Sequence, residues 1–139
     1  MDLALDPALH ADSQAEANEE VLHRTGDGLL GLGDTVTFRA RHFGIPWTMT
    51  ARVTELDRPH LFVDEQVSGP FAAFRHTHRF TSDEAATVMI DEFAFRLPAG
   101  PVGGLVARTT AAPYLRRLLT HRARFLARRA EELSRSDEL

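Results

Sequence analysis

The residues able to do chemistry gather between Arg58 and Pro98, in RPHLFVDEQVSGPFAAFRHTHRFTSDEAATVMIDEFAFRLP. His76 and His78 flank a single threonine, which on a strand puts two imidazoles on one face about 7 Å apart along the chain. The same two-residue register holds Phe62, Asp64 and Gln66, then Phe74 and Phe80 around the histidines, then Met89, Asp91, Phe93 and Phe95. Each set mixes aromatic rings with ionisable or amide groups on one face. A dry core avoids that mixture, because an unpaired buried polar group costs roughly 2–7 kcal/mol. A cavity that receives a partly polar ligand tolerates it.

Several kinds of chemistry fit these residues. A histidine in an apolar pocket beside a carboxylate is suited to general acid/base work, with His76 or His78 as the catalytic candidate and Asp64 or Asp91 orienting it. The His-x-His pair could also begin a zinc site, completed by Asp64, Asp91 or His121. No spacing singles out those further ligands, so neither a metal nor a cofactor is expected. The plainer alternative makes both histidines internal struts, hydrogen-bonded to Asp64, Gln66 or Asp91. Glu65 and Glu92 stand on the opposite register and face solvent. No Ser-His-Asp order, nucleophile elbow or paired-carboxylate signature rises above chance.

Five strands must position these groups. Asp34 to Phe43 alternates Val36, Phe38 and Ala40 with Thr35, Thr37, Arg39 and Arg41, and a tight connection at Gly44-Ile45-Pro46 leads into a second alternating run from Trp47 to Thr54. Turns at Asp57 to His60, at Gly69-Pro70 and at Ser82 to Glu84 separate the strands Leu61 to Val67, Phe71 to Phe80 and Ala86 to Leu97. Short connections of this kind make an antiparallel meander.

Before the sheet, residues 7–22 read as a short helix with Asp12 or Ser13 as N-cap and Glu16 completing a capping box. Gly26, Gly28, Gly31 and Gly33 form a loop that does not match a phosphate-binding fingerprint, and its Leu29, Leu30 and Leu32 require burial, which folds it over the cavity. After the sheet, Gly103-Gly104 keeps the chain irregular before a helix that runs to Leu133, with a kink or a fresh start at Pro113. Leu115, Leu118, Leu119, Phe125, Leu126 and Leu133 share its apolar stripe, with Tyr114 and His121 on the edge. Arg122 falls in the middle of that stripe. It must snorkel or pair with an internal acid, and Asp64 and Asp91 are the acids the sheet offers; either the three fix the helix to the sheet, or Arg122 or one acid meets a ligand's polar head.

The chain has 139 residues, 43% hydrophobic and 26% charged, which suits one globular domain with a substantial core. It has no cysteine, so disulfides and thiolate metal sites are excluded. No apolar run reaches the roughly 18 residues of a membrane span, and the start lacks a basic, apolar signal sequence, so a cytoplasmic protein without stable membrane insertion is expected. The closing Ser-Asp-Glu-Leu is taken as coincidence rather than a retention signal. Net charge is −4, yet all 16 basic residues are arginine and seven lie between Arg108 and Arg129. A solvated helix face accounts for them, so no nucleic-acid binding is expected; a partner-binding module on this face is one alternative function.

The segments RARHFGIPWTMTARVTELDRP, LFVDEQVSGPFAAFRHTHRF, IDEFAFRLPAGPVGGL and YLRRLLTHRARFL resemble the SRPBCC superfamily, in its polyketide cyclase/dehydrase branch. The resemblance runs from Asp34 to Leu133, and its most specific element is Phe62 to Phe80, with Phe74 where the branch often has Trp. It implies an α+β helix-grip (START-like) fold, a curved antiparallel sheet wrapped around a long C-terminal helix. Residues 1–33 would form the N-terminal helix and Gly-rich loop, 34–98 the meander, 99–133 the helix and 134–139 a frayed tail. The cavity would bind an apolar or amphipathic, lipid- or polyketide-like small molecule, lined by Phe62, Asp64, Gln66, Phe74, His76, His78, Asp91, Phe93, Tyr114, Leu118, His121 and Arg122. It would leave room between Phe74, Phe93 and Tyr114. A cyclase- or dehydrase-type enzyme is the alternative. Relatives begin with a strand and helix that end near a D-P-x-x-L element like Asp6 to Leu9, so either the start codon is placed too far downstream or an edge strand and two short helices are missing. Such a loss would leave a strand unpaired and invite a homodimer or pairing by the N-terminal segment.

Overall fold

Hydrophobic alternation in the middle of the chain resolves into a six-stranded antiparallel meander in the order β1-β2-β3-β4-β5-β6. The structure is a computed structural model that describes residues 1–137. Two short helices, α1 (Asp2–Leu5) and α2 (Pro7–Ser13), precede β1 (Glu20–Arg24), β2 (Thr35–His42), β3 (Ile45–Asp57), β4 (Leu61–Ser68), β5 (Ala73–Ser82) and β6 (Thr87–Arg96). Helices α3 (Gly100–Val106) and α4 (Ala112–Asp137) follow, joined by a π-helical turn over Ala107–Ala111. Helices on one side of one antiparallel sheet make this an α+β helix-grip fold.

The five expected strands are present, and the N-terminal third differs from expectation. The N-cap is Asp6, whose carboxylate accepts from the backbone N–H groups of Ala8 and Leu9, with Pro7 at the first helical position. The helix therefore ends at Ser13 rather than Leu22. A left-handed Asn18 (φ 49°) then turns the chain out, and Glu20–Arg24 pairs with β2 as a strand that local pattern alone does not announce. Two short helices are thus present, contrary to expectation. Among the described residues the sheet is open, with β1 and β6 as its two edge strands.

At the tip of β2 and β3, Phe43 (φ 53°) and Gly44 (φ 73°) form a two-residue turn with both residues left-handed, the pattern that matches strand twist. From the glycine-rich loop only Leu30 enters the core, tied by its N–H to the Leu5 carbonyl at 3.0 Å; Leu29 and Leu32 stay exposed. Leu5, Leu30, Val36, Phe38, Val53, Phe62, Phe80 and Leu126 make a contiguous core joining α1, the loop, the sheet and α4. Burying each large aliphatic or aromatic side chain stabilises the fold by about 1.5–3 kcal/mol.

Gly103 and Gly104 lie within α3, not in irregular chain. A Cβ on Gly103 would sit 1.9 Å from the Pro98 carbonyl oxygen, so the absent side chain is what lets the helix fold back on the end of β6. Farther on, the π turn accommodates Pro113, which has no N–H and whose ring crowds the carbonyl four residues back: the Ala112 N–H reaches the carbonyl of Ala107, and the Thr109 hydroxyl donates to that of Leu105 at 2.9 Å. Helix α4 continues to Asp137, so residues 134–137 are helical rather than frayed, while 138–139 lie outside the described residues. Gly103→Ala is expected to destabilise the protein by about 1–3 kcal/mol through overpacking. Gly104→Ala, whose Cβ would meet nothing within 4 Å, should be neutral or stabilising. Urea unfolding of the two variants checks the pair, and equal effects would refute the close-approach account.

Candidate functional site

Strand register builds the site. Asp64 lies directly opposite His76 across β4 and β5, and His78 directly opposite Asp91 across β5 and β6. Because His76 and His78 are two residues apart on one strand, each also has the other carboxylate on its diagonal. The result is a closed box of two imidazoles between two carboxylates. His78 Nε2 lies 3.0 Å from Asp64 Oδ1 and its Nδ1 lies 2.7 Å from Asp91 Oδ1. His76 is looser, with Nδ1 3.9 Å from Asp64 Oδ1 and Nε2 3.4 Å from Asp91 Oδ1. The two rings are 3.8 Å apart between centroids, and Phe62 stacks on His78 at 4.0 Å.

Burial is nearly complete: His76 is 5% and His78 1% exposed, whereas the Asp64 side chain keeps 22% of its surface. Of the box contacts, His78 Nε2 to Asp64 is a directed hydrogen bond. The short His78 Nδ1 to Asp91 approach is misaligned, leaving His76 Nε2, His78 Nδ1 and Asp91 Oδ1 without a directed partner. Close charges, rather than aligned hydrogen bonds, dominate that side of the box.

Arg122 is 3% exposed and is not in direct ion pairing with Asp64 or Asp91. Its Nη2 donates to the Ala4 carbonyl at 3.3 Å and its Nε has no partner. A small, partly open pocket of about 40 Å³ is lined by Arg122 together with Asp64, His78, Phe38, Phe62 and His10. The expected counter-charge therefore acts at a distance. Its other neighbour is α1, which the sequence pattern did not bring near it.

A larger groove of about 390 Å³ runs between β6 and α4, lined by Met89, Asp91, Phe93, Phe95, Leu115 and Leu119 and, at its polar edge, by Arg116 and Thr120. Small Ala112 and Ala123 leave the space. Of the residues expected to line one cavity, Asp91 and Phe93 are in this groove, and Phe62, Asp64, His78 and Arg122 line the small pocket. The others are placed elsewhere. Phe74 stacks on Phe93 at 5.2 Å, so no room lies between them; His76 is sealed inside the box. Gln66 braces the β4–β5 turn, donating from Nε2 to the Phe71 carbonyl at 2.8 Å and accepting from the Phe71 N–H. Tyr114 bonds His42 Nδ1 at 2.6 Å and packs on Phe43, holding the hairpin tip to the helix. Leu118 is half-buried outside both spaces, and His121 is exposed on the far side of α4. Met89 and Phe95 were legible as groove residues from their shared register with Asp91 and Phe93. Arg116, Thr120, Ala112 and Ala123 carried no such signal. Arg116, Arg117, Arg124, Arg128 and Arg129 all face solvent.

Electrostatics follow from this packing. Burial raises the Asp64 carboxyl, but the His78 hydrogen bond and the charges of His78, His76 and Arg122 outweigh it and hold the group below its usual value. Asp91 is likewise opposed by burial and is held far below the carboxylate range by its contacts with His76 and His78. Burial lowers His76; its contact with Asp91 and the charge of Asp64 oppose this, and the charges of His78 and Arg122 reinforce it. One donor atom each from Asp64, His76 and His78 falls within 4.8 Å of the others, close enough to hold a metal ion.

A histidine with a lowered folded value binds its proton first in the unfolded chain, so stability falls as pH drops through about 6.5 toward the folded value. The two depressed carboxylates contribute fully above about pH 4 and lose that contribution as pH falls through their folded values. His42, lowered by burial against the opposing charge of Glu19, adds the same sign near neutrality. Urea midpoints of metal-free protein should therefore decline from about pH 7.5 to about 5.5 and again below about pH 4. His76→Gln should flatten the first decline, and an unchanged slope would assign it to other groups.

No curated protein matches the chain. A family model, described as polyketide cyclase / dehydrase and lipid transport, matches residues 6–131. Its span covers α2, the whole sheet and most of α4, including both carboxylates and both histidines of the box. With fold, register and family model in agreement, the chain belongs to the polyketide cyclase/dehydrase and lipid transport family of the SRPBCC superfamily.

Proposed function

We propose that the protein binds an amphipathic small molecule, lipid- or polyketide-like, in the groove between β6 and α4. The groove itself carries the reading: about 390 Å³ with predominantly apolar walls and a few convergent polar groups, within the range of roughly 300–1,000 Å³ typical of small-molecule sites. Phe93, Phe95, Leu115 and Leu119 receive the apolar body. Asp91 accepts from a hydroxyl of the ligand, and Arg116 at the rim pairs with a carboxylate or other acceptor. The family description, which names both polyketide chemistry and lipid transport, supports a ligand of this character.

Binding is favoured over turnover because neither imidazole is among the groove's walls. A general acid/base must come within hydrogen-bond reach of the proton it moves. Asp91 alone spans the box and the groove.

A fluorescent hydroxynaphthoate, which combines a fused apolar ring with one hydroxyl and one carboxylate, is a suitable probe. It should bind one per chain. Ala123→Trp should weaken it at least about tenfold, equivalent to about 1.4 kcal/mol, with unfolding unchanged. Arg116→Gln should weaken the acid and leave its methyl ester unaffected. Absence of binding to the wild type, or equal binding to Ala123→Trp, would overturn the assignment.

A further inference from the structure

The box has a sidedness that the groove does not use. Asp91 touches one nitrogen of each ring, His78 Nδ1 at 2.7 Å and His76 Nε2 at 3.4 Å. The opposite nitrogens, His78 Nε2 and His76 Nδ1, both face Asp64 Oδ1, at 3.0 and 3.9 Å. His76 and His78 are more than nine-tenths buried, and each has a nitrogen with no directed hydrogen bond. Leaving buried polar atoms unsatisfied costs about 1–3 kcal/mol apiece. Both of those nitrogens lie on the Asp91 side; what the box offers a ligand is one donor atom each from Asp64, His76 and His78, all within 4.8 Å of one another.

We propose that Asp64, His76 and His78 bind a divalent first-row transition-metal ion, with Asp91 standing behind both imidazoles. Two imidazole nitrogens and one carboxylate oxygen suit zinc and its neighbours rather than calcium or magnesium, which favour oxygen. Metal–ligand bonds of 2.0–2.2 Å in a tetrahedron separate ligand atoms by about 3.3 Å. The two distances to Asp64 bracket that value, so small ring rotations converge the three donors. Asp91 stands where metal-bound imidazoles commonly have an outer carboxylate, 2.7 Å from His78 Nδ1 and 3.4 Å from His76 Nε2; once ring rotation aligns those contacts it takes the N–H of each ring and frees the lone pairs of His78 Nε2 and His76 Nδ1 on the Asp64 side.

The pocket of about 40 Å³ is lined by two of these three ligands, Asp64 and His78. It has room for a water as a fourth ligand. Arg122, on its wall, is a like charge to the ion. A divalent ion and a guanidinium against two carboxylates leave one positive charge, so the fourth position favours hydroxide or another small anion facing the unpartnered Arg122 Nε. Ala4, Pro7, His10 and Leu30 also line this pocket. The ion sits beside the N-terminal segment, apart from the ligand groove, and clamps β4 to β5.

The test uses the full chain stripped with EDTA and titrated with Co(II), then with Zn(II). The expected result is one ion per chain by native mass spectrometry, an intense four-coordinate Co(II) ligand-field band that Zn(II) displaces, and a raised thermal midpoint. Asp91→Asn should weaken Co(II) about 10–100-fold, the usual effect of removing an outer carboxylate. His78→Gln and Asp64→Asn should abolish the band. The proposal is overturned if the wild type takes up no stoichiometric ion, shows only a weak six-coordinate spectrum, or keeps its thermal midpoint in excess Zn(II). A band that survives both ligand substitutions would also overturn it, by placing the ion on surface histidines such as His23 or His60. The wild-type measurements decide the matter even where a ligand variant fails to fold.

Discussion

Everything around the site depends on the pairing register of β4, β5 and β6, because it sets two carboxylates against two imidazoles in the interior. A slip of one residue on β5 would turn His76 and His78 outward and bring Arg75 and Arg79 inward, facing the same two acids from a quite different geometry. The native register is held from several sides. Phe74, Phe93 and Phe95 cluster with Phe71 at one end of the sheet, while Phe80 pairs with Met89 at the other. Polar groups that would be expensive alone become mutually compensating when charges of opposite sign sit within 4 Å, yet that compensation requires the geometry first. The aromatic rows provide it.

The position of α4 relative to the sheet follows a similar division of labour. Its middle is anchored by Leu126 in the core and by the Arg122 contact with the Ala4 carbonyl. Its N-terminal end is held by Tyr114 against His42 and Phe43 on the hairpin tip, and by Gly103, which lets α3 fold back on Pro98. Along the face toward β6, the groove-lining Ala112 and Ala123 carry little bulk. A groove persists there because the helix is fixed at its N-terminal end and its middle and underfilled along this face. Protein interiors otherwise close such gaps, since side chains pack at nearly crystalline density.

Much of this was legible in the sequence wherever it rested on period-two patterning. The five central strands, the inward face of each, and the juxtaposition of Asp64, His76, His78 and Asp91 follow from alternation and short turns. What escaped depends on long-range partners. Glu20–Arg24 becomes a strand because β2 offers a ladder edge, and its own residues carry little alternation. The Ala4 carbonyl as the acceptor for Arg122 spans the length of the chain. His121 and Tyr114 were misplaced for a different reason: the helical stripe locates an apolar face within a broad arc, and residues on its edge fall to solvent or to neighbours according to where the helix is pinned. Gln66 was misplaced because an amide on an inward register can be consumed locally by a turn.

The division between groove and pocket bears on how a single cluster can serve two sides of the domain. Asp91 is the hinge between them: its contacts to both rings belong to the box, and its side chain is also part of the groove wall. A hydroxyl donated to Asp91 from the groove would compete with the imidazoles for the same carboxylate, and the strength of each contact would fall as the other tightened. Asp64 and His76 feel the charge of Arg122 instead. Occupancy of the groove by such a ligand would therefore be linked to the charge state of the interior through one carboxylate, and that linkage would be reciprocal by thermodynamic necessity. Because neither ring is among the walls of the groove, a ligand there would sense the buried pair only through Asp91. The polar residues of β4 to β6, although they form one cluster, thus divide into Asp91, which lines the groove, and a set that does not.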